Sequence, residues 1–300
     1  MSIKTFDFCG KKKIFFAISL TLIAISLISI FTRGFNFGVD FSGGTELIFK
    51  SNRDMTVAAF REQIGGIEKA LAAANISKLS QMGDQEQNEY RYSVTTVLFY
   101  ESDQKQQLEG LARESGLEIE SYNSVSGFAA EELRSKAIWI VIFVSAILLV
   151  YITFRFRYEF GIGAILALLQ DAVITLGFYS LFQIPFDVSV VAAILTLLGY
   201  SINATIVIYD RVRENMRLMR GKGIAEIINT SIWQTMTRTV HTSMTTFIVV
   251  FFLLVFGGIS LRPFAFGLTV GVVAGTYSSV FIASPLISGF LQGKKKKSYS

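Results

Sequence analysis

The stretch AIWIVIFVSAILLVYITF, residues 137–154, decides the fold because it is an unbroken apolar run without a charged residue. A helix rises about 1.5 Å per residue, so a run of this length approaches the thickness of the hydrocarbon core of a bilayer. The composition points the same way, since 51% of the 300 residues are hydrophobic and only 17% are charged, against about 25% charged in soluble proteins. We interpret this run as a membrane-spanning helix.

Five further runs share this character, so the sequence predicts six membrane-spanning helices. The first run follows a basic start, as a signal peptide does, but it lacks a small-residue cleavage site and is long for one. We therefore interpret it as a retained anchor. The six predicted spans are 14–31, 137–154, 161–182, 188–209, 239–256 and 264–287.

The positive residues predict the orientation of these spans, because cytoplasmic loops are enriched in Lys and Arg. With six spans, sixteen Lys and Arg fall on the side of both termini, whereas the two short loops on the other side hold only Arg262. We predict that both termini are cytoplasmic. The net charge of +5 is explained by this topology, so nucleic acid is not an expected partner. The cytoplasmic segments are the tail 1–13, the short second-to-third loop, the loop 210–238 and the basic tail 288–300.

The segment 32–136 is far more polar, with 16 acidic and 11 basic residues, and is predicted to form one external domain. Its pattern reads as strand 44–51, helix 56–75, strands 76–82 and 90–98, helix 103–115 and strand 117–125, with a turn signal at Gly83-Asp84. This βαββαβ order is typical of a ferredoxin-like unit. The predicted fold is therefore an α-helical membrane protein with six transmembrane helices and an extracytoplasmic ferredoxin-like α+β domain between helices one and two.

The residue types argue against an enzyme. The chain has one His, which excludes a two-His zinc motif. It contains neither a nucleophile-elbow serine nor a Gly-Lys-Ser/Thr phosphate loop. We expect no catalytic residues, no metal and no cofactor, so that any energy must come from a membrane gradient or a partner.

Polar residues inside the predicted spans are the informative ones. A charge near mid-bilayer costs about 2.5 kcal/mol or more, and Asp171 lies near the middle of the third span. Two interpretations remain open for these stripes, a polar seam that carries ions or protons and interhelical hydrogen bonding. The stripes are Asp171, Thr175 and Tyr179 on the third span; Thr196, Tyr200, Asn203, Val207 and Asp210 on the fourth; and Arg238, Thr242 and Thr245 on the fifth.

These stripes give four ion-coupling candidates, Asp171, Asn203, Asp210 and Arg238. For Asp171 we favour a functional role. For Asn203 and the threonines we favour hydrogen bonding between helices. Asp210 and Arg238 lie at the membrane interface, where a structural anchor is an equal alternative.

Small residues recur at strict spacings of four along the sixth span. They are Gly267, Gly271, Gly275, Ser279 and Ala283. This pattern predicts close packing of that helix against its neighbours.

Four segments carry a resemblance to a known family. They are GVDFSGGT at 38–45, LGYSINATIVIYDRVREN at 198–215, QTMTRT at 234–239 and FGG at 256–258. Together they resemble the SecF branch of the SecD/SecF protein-export family, over essentially the whole chain. The glycine-rich motif with Asp40, Gly43 and Gly44 is shared with the SecD branch, whose external region is much larger.

The resemblance implies a subunit of the Sec protein-export machinery in the cytoplasmic (inner) membrane. With SecD as its heterodimer partner, such a subunit promotes late steps of preprotein translocation and uses the proton or sodium gradient. Further implied partners are the SecYEG channel, the accessory subunits YajC and YidC, and unfolded preprotein. The resemblance matches Asp171 to a third-helix aspartate of the family and Arg238 to an arginine at the base of the fifth helix. Two alternatives stay open: a structural partner of SecD without ion coupling, and half of a small-molecule exporter.

One position departs from the family pattern. The resemblance implies an aspartate after Asn203, but Ala204 stands there and cannot titrate. Coupling would then run through Asp171 or a carboxylate of SecD, would use another ion, or would be lost. The amide oxygen of Asn203 would suit sodium, a cation that prefers oxygen ligands.

Overall fold

The computed structural model describes residues 6–69, 71–79, 90–100, 102–156 and 158–297. The chain divides into two compact units. The first comprises Met1–Asn36, Ile140–Pro185 and Ser189–Ser300, and the second comprises Phe37–Trp139 with Phe186–Val188. The first unit carries the long apolar helices, and the second carries the sheet.

The described residues form ten α-helices and four strands. The helices are α1 (Lys12–Arg33), α2 (Val39–Ser42), α3 (Val57–Ile67), α4 (Ser102–Glu114), α5 (Gly127–Arg155), α6 (Tyr158–Phe182), α7 (Val188–Leu218), α8 (Ile224–Phe256), α9 (Arg262–Ser278) and α10 (Ser284–Lys297). The strands are β1 (Gly44–Ser51), β2 (Asn75–Leu79), β3 (Tyr90–Thr96) and β4 (Leu117–Val125).

Six helical segments of the described chain are long and apolar enough to cross a membrane, which confirms the predicted number. They are Lys12–Arg33, Gly127–Arg155, Tyr158–Phe182, Val188–Leu218, Ile224–Phe256 and Arg262–Leu291. The last combines α9, a π-helical turn at Ser279–Ala283 and the start of α10. In the apolar windows of α6 and of this last segment, 61% and 67% of the residues are buried, against 6% in α5. The centre of the helical unit therefore lies between α6 and α9.

Most of the segment 210–238, which the sequence predicts to be a cytoplasmic loop, is helical. α7 continues to Leu218 and α8 begins at Ile224, so only residues 219–223 separate the two helices. Arg and Glu favour helix as strongly as most apolar residues do, and Arg211 forms an ion pair of 2.7 Å with Glu214 along α7. Hydropathy shows where a helix leaves an apolar environment. The backbone hydrogen bonds of the helix can nevertheless continue beyond that point. The connection contains Gly221 at φ 95°, a conformation that favours glycine.

The sheet unit has the predicted βαββαβ order. Its strands lie in the order β2-β3-β1-β4, and every neighbouring pair is antiparallel. Alternating side chains of β1 and β3 face the helices, where Phe49, Phe60 and Tyr92 are fully buried. Phe60 on α3 stacks on Tyr92 with 4.2 Å between ring centroids. This apolar layer between sheet and helices is the core of the unit.

Two elements of this unit are shorter than predicted. The helix predicted at 56–75 ends at Ile67, and a single 3-10 turn, Leu71–Ala73, follows. Gly65 and Gly66 close to that end weaken the helix. The strand predicted at 76–82 ends at Leu79, and the turn signal at Gly83-Asp84 lies outside the described residues.

Candidate functional site

Asp171 lies at the middle of α6 and is fully buried, with 0% of its surface exposed. Its Oδ2 atom accepts a hydrogen bond of 2.5 Å from the Ser201 hydroxyl on α7. The hydroxyl of Ser278, the last residue of α9, lies 2.8 Å from the same oxygen. Three membrane helices therefore meet at one carboxylate.

The second oxygen of this carboxylate is not satisfied. Asp171 Oδ1 is buried and has no hydrogen-bond partner among the described residues, and the same holds for the hydroxyl of Thr175, one turn further along α6. Buried polar atoms without partners are rare, because each forfeits its hydration. The Nε2 atom of Gln170, also on α6, is likewise buried without a partner. These atoms mark this part of α6 as a place in the helical unit where polar groups converge.

Further hydroxyl groups extend the polar cluster along α7 and the π-helical turn. Thr205 and Ser279 are hydrogen-bonded at 2.8 Å. The Ser279 hydroxyl also lies 3.3 Å from the carbonyl oxygen of Ser201, and the Ser284 hydroxyl donates to the carbonyl of Ser279 at 2.8 Å. A π-helical turn interrupts the regular hydrogen bonds of an α-helix and is frequent at functional sites.

The small-residue stripe of α9 lets this cluster form. A Cβ atom added to Gly267 would collide with the Tyr179 hydroxyl of α6. One added to Gly271 would lie 2.6 Å from a methyl group of Leu197, and one added to Gly275 would lie 3.0 Å from Ser201 Cβ. The glycines therefore bring α9 against both α6 and α7, which is the arrangement that places Ser278 beside Asp171.

Asp210 belongs to a different environment. It forms an ion pair of 2.7 Å with Arg155 and one of 3.7 Å with Arg213. Asp210 lies nine positions after Ser201 in α7, which corresponds to about 13 Å along the helix axis. Asp210 is thus paired in the C-terminal part of α7 and does not join the Asp171 cluster.

Asn203 and Arg238 also lie apart from Asp171. Both are exposed on the surface of the helical unit, and Ala204 is half-buried. The hydroxyls of Thr242 and Thr245 donate to carbonyl oxygens of their own helix, α8, so in this chain they do not link helices as the sequence interpretation favoured. Asn203 and Arg238 therefore face outward, and we refer to the exposed polar side chains of α7 and α8 as the outward-facing polar surface.

The glycine-rich motif has a structural role within the sheet unit. Asp40 Oδ1 accepts a hydrogen bond of 3.0 Å from the Asn123 side chain, and its Oδ2 accepts one of 3.1 Å from the backbone N–H of Val188. Gly43 and Gly44 have φ values of 73° and 113°, and a side chain on Gly44 would collide with the carbonyl oxygen of Thr96. The motif fixes the entry of the chain into β1.

One carboxyl group of the sheet unit has a displaced pKa. Burial of Glu46 raises its pKa above the ordinary value of 4.5, and the negative charges of Asp187 and Asp40 add to this. A hydrogen bond of 3.1 Å from the Ser93 hydroxyl acts in the opposite direction. Glu46 therefore takes up a proton more readily in the folded state than in the unfolded state.

The sequence interpretation singled out Asp171 and missed its two partners. Ser201 lies within the quoted fourth-helix motif, between Tyr200 and Asn203, but the stripe drawn from spacing passed through those two neighbours. Spacing identifies positions that share a face, and it does not say which face is buried. Ser201 and Thr205, which are four residues apart and both small and polar, give the signal that would have identified the buried face of α7.

A carboxylate with two serine hydroxyls can hold a proton or a small cation. Among the described residues, no group of three or more His, Cys, Asp and Glu side chains is placed to hold a metal ion through those residue types.

Two family models match the sequence. The model described as "Protein export membrane protein SecD/SecF, C-terminal" matches residues 104–292, and the "SecD/SecF GG Motif" model matches residues 28–53. Proteins named protein translocase subunit SecF are similar over nearly the whole chain. The one from Petrotoga mobilis is 46% identical and the match covers 97% of each chain; the one from Calditerrivibrio nitroreducens is 40% identical over 94% of this chain and 92% of its own.

Solved structures of SecDF share the fold. The crystal structure of SecDF from Thermus thermophilus, described as a translocon-associated membrane protein, is 34% identical with a TM-score of 0.83, and the match covers 96% of this chain and 39% of that one. SecDF in a super-membrane-facing form is also 34% identical, with a TM-score of 0.70 and coverage of 100% and 40%. The chain therefore spans about two fifths of the length of those SecDF chains. On these matches, the chain belongs to the SecD/SecF family of protein-export membrane proteins, as a SecF-type subunit.

Proposed function

We propose that this chain works with a SecD subunit to promote late steps of preprotein translocation across the cytoplasmic membrane, driven by a proton or sodium gradient. The proposal rests on the family membership and above all on one observation. Asp171 is fully buried, has one unpartnered oxygen, and contacts α7 and α9 from α6. Loading or unloading a cation at such a carboxylate changes the contacts of three helices together, which is the event that a gradient-driven machine requires.

The outward-facing polar surface supports a partner within the membrane. Asn203 on α7 and Arg238 and His241 on α8 are exposed in helices that are long and apolar enough to span a bilayer. Arg is costly against lipid and is usually paired inside a bundle. We therefore place the SecD subunit against this surface, with a carboxylate of SecD opposite Arg238. Such a carboxylate would bind and release the proton in place of the aspartate that the family resemblance implies at position 204, where Ala204 cannot titrate.

The remaining assignments follow from the family and from charge. The excess of Lys and Arg on one side of the six helices supports cytoplasmic termini and insertion in the inner membrane. The sheet unit then faces the far side, where it would meet emerging unfolded preprotein. The SecYEG channel, YajC and YidC are proposed as further partners of the assembly. We propose no enzymatic activity.

Asp171→Asn tests the proposal, because it keeps the size of the side chain and removes its charge. The measurement is preprotein export in inverted membrane vesicles that contain this chain and its SecD, with an imposed ion gradient. We expect gradient-dependent export to fall to the level seen without the gradient. Glu214→Gln is the matched control, since Glu214 is an exposed carboxylate on α7 paired with Arg211.

The same experiment separates the alternatives. A purely structural partner of SecD would tolerate Asp171→Asn as well as it tolerates Glu214→Gln. A variant that exports normally at every gradient while still assembling with SecD would therefore refute the ion-coupling role. Normal preprotein export in membranes that lack the chain altogether would refute the translocation role and leave the exporter alternative.

A further inference from the structure

An apolar groove of about 500 Å³ lies between α8 and the last membrane-spanning segment, on the surface of the helical unit. We propose that this groove binds an acyl chain of an anionic phospholipid, whose headgroup is held by Lys11 and Lys12 at the start of α1. The inference goes beyond the proposed function, because the groove shares no residue with the Asp171 cluster.

The groove is open along its length. One wall is a stripe of α8 side chains, and the other is formed by α9 and the π-helical turn. Val240 and Met244 of α8 are 46% and 54% exposed, and Val273 of α9 is 55% exposed. These apolar surfaces belong to helices that are long and apolar enough to cross a membrane, so the groove faces either lipid or a partner helix.

The hydroxyl groups that line the groove are hydrogen-bonded within the chain. The Ser243 hydroxyl pairs with the hydroxyl of Tyr200 at 2.9 Å and with that of Thr276 at 2.7 Å. The Tyr277 hydroxyl donates to the carbonyl oxygen of Phe15 at 2.8 Å. Because the protein already engages these groups, the groove favours a hydrocarbon chain over water or a polar ligand.

The length of the groove fits a single leaflet. From Met236 to Phe247 the α8 wall advances by eleven positions, which corresponds to about 16 Å along the helix axis. The hydrocarbon core of a bilayer is about 30 Å thick, so the groove spans about half of it. A partner helix crosses the whole core, whereas a phospholipid chain occupies one leaflet. The length therefore favours a lipid as the occupant.

The N-terminal segment 6–11 is tied to α8 beyond one end of this groove. The Asn229 side chain donates to Asp7 Oδ1 at 2.7 Å and accepts a hydrogen bond of 3.0 Å from the backbone N–H of Cys9. Asn229 lies seven positions before Met236, which places both residues on the same face of α8, about two turns apart. The start of α1 is thus held at the Met236 end of the groove.

The charge at this end is complementary to an anionic headgroup. Lys11 and Lys12 lie one turn before Phe15 on the same face of α1, and Phe15 contacts Phe281 of the groove with 4.3 Å between ring centroids. The neighbouring acid Asp7 already accepts two hydrogen bonds. Two lysines beside one acid leave a net positive charge, and lysines near a membrane surface attract anionic lipids.

The groove and the outward-facing polar surface lie on different sides of α8. Val240 and Arg238 are two positions apart, which corresponds to about 200° around the helix. A SecD subunit placed against the outward-facing polar surface therefore leaves the groove open. Trp233, one turn before Met236, is 43% exposed, and tryptophan is enriched where a membrane meets water.

The test is photo-crosslinking in phosphatidylcholine vesicles that contain the complex of this chain with its SecD. Two probes at trace concentration, phosphatidylglycerol and phosphatidylcholine, carry the same diazirine on one acyl chain, and mass spectrometry locates the labelled peptides. Val240→Trp fills the groove. Val150→Trp is the matched control, since Val150 is 55% exposed on α5 and does not line the groove. Gel filtration establishes that each variant is assembled.

A second pair of variants tests the headgroup contacts and leaves the groove intact. Lys11→Gln combined with Lys12→Gln removes two positive charges at the start of α1. The control is Arg220→Gln combined with Lys222→Gln, which removes two exposed positive charges from the connection between α7 and α8.

We expect phosphatidylglycerol to label the groove peptides at least tenfold more than phosphatidylcholine, because each lysine beside an anionic headgroup favours it by about fivefold. Val240→Trp should abolish this labelling, and the Lys11 and Lys12 substitutions should make the two probes equal. Both controls should behave like the parent complex.

Three results would overturn the site. Equal labelling by both probes in the parent complex would show ordinary contact with bulk lipid. Labelling that survives Val240→Trp, or a preference for phosphatidylglycerol that survives the lysine substitutions, would contradict the groove or the headgroup contacts. Labelling of the chain alone but not of the complex would show that a SecD helix, and not a lipid, fills the groove.

Discussion

Gly271→Ala is expected to impair coupling without touching any polar group of the site. The new methyl group would lie 2.6 Å and 2.9 Å from the two terminal methyl groups of Leu197 on α7. Leu197 is 1% exposed, so a change in its side-chain conformation would press on other buried atoms. We therefore expect part of the clash to be relieved by moving α9 away from α7.

The size of the effect follows from two opposing contributions. Overpacking by a methyl group costs about 1–3 kcal/mol, and replacing a helical glycine by alanine returns about 1 kcal/mol. We expect a net destabilisation of about 1 kcal/mol. A separation of the helices by about 1 Å would also take the Ser278 hydroxyl, now 2.8 Å from Asp171, beyond hydrogen-bonding range. Since a misplacement of that size can cost about a hundredfold in rate, we expect gradient-dependent export to fall at least tenfold.

The assay compares thermal unfolding and gradient-driven export of Gly271→Ala with those of Gly289→Ala. Gly289 lies in α10, and a Cβ atom there would have nothing within 4 Å. The control should be neutral or slightly stabilised. If Gly271→Ala unfolds and exports like Gly289→Ala, then close contact between α7 and α9 does not position the site, and the packing argument is refuted.

Three further predictions address the sheet unit and the substituted family position. Tyr92→Phe should destabilise the sheet unit by about 1–3 kcal/mol, because the Tyr92 hydroxyl contacts both the backbone N–H and the carbonyl oxygen of Met55 at 2.8 Å. Amide hydrogen exchange of β3 measures this loss of stability, and an unchanged exchange rate would contradict the prediction. The raised pKa of Glu46 means that its contribution to stability increases as the pH falls from neutral toward 4.5, so Glu46→Gln should stabilise the unit at pH 7 and reduce its pH dependence in melting experiments. Ala204→Asp should raise export under an imposed proton gradient, whereas no change, combined with loss of export in Asp171→Asn, would place coupling on α6 alone.

The sequence predicted the architecture because hydrophobic patterning controls it. Long apolar runs such as 137–154 have to form helices in a bilayer, where backbone groups find no other partners. The alternation of apolar and polar residues in 44–51 and the helix and strand patterns that follow it predicted the βαββαβ order. The family assignment also followed from quoted motifs alone. The sequence did not predict the ends of the helices. α7 and α8 extend into segments with many charged residues, which hydropathy treats as loops.

The sequence by itself therefore determined that six helices span a membrane, that a ferredoxin-like unit follows the first of them, and that Asp171 is an uncommon charge in an apolar helix. Only the tertiary structure decided which polar residues meet that charge. It selected Ser201 and Ser278 on α7 and α9 and left Asn203 and Arg238 on the outer surface. The physical reason is that periodicity fixes which residues share a helix face, whereas the rotation of each helix is set by contacts between helices, here by glycines of α9 that admit side chains from α6 and α7.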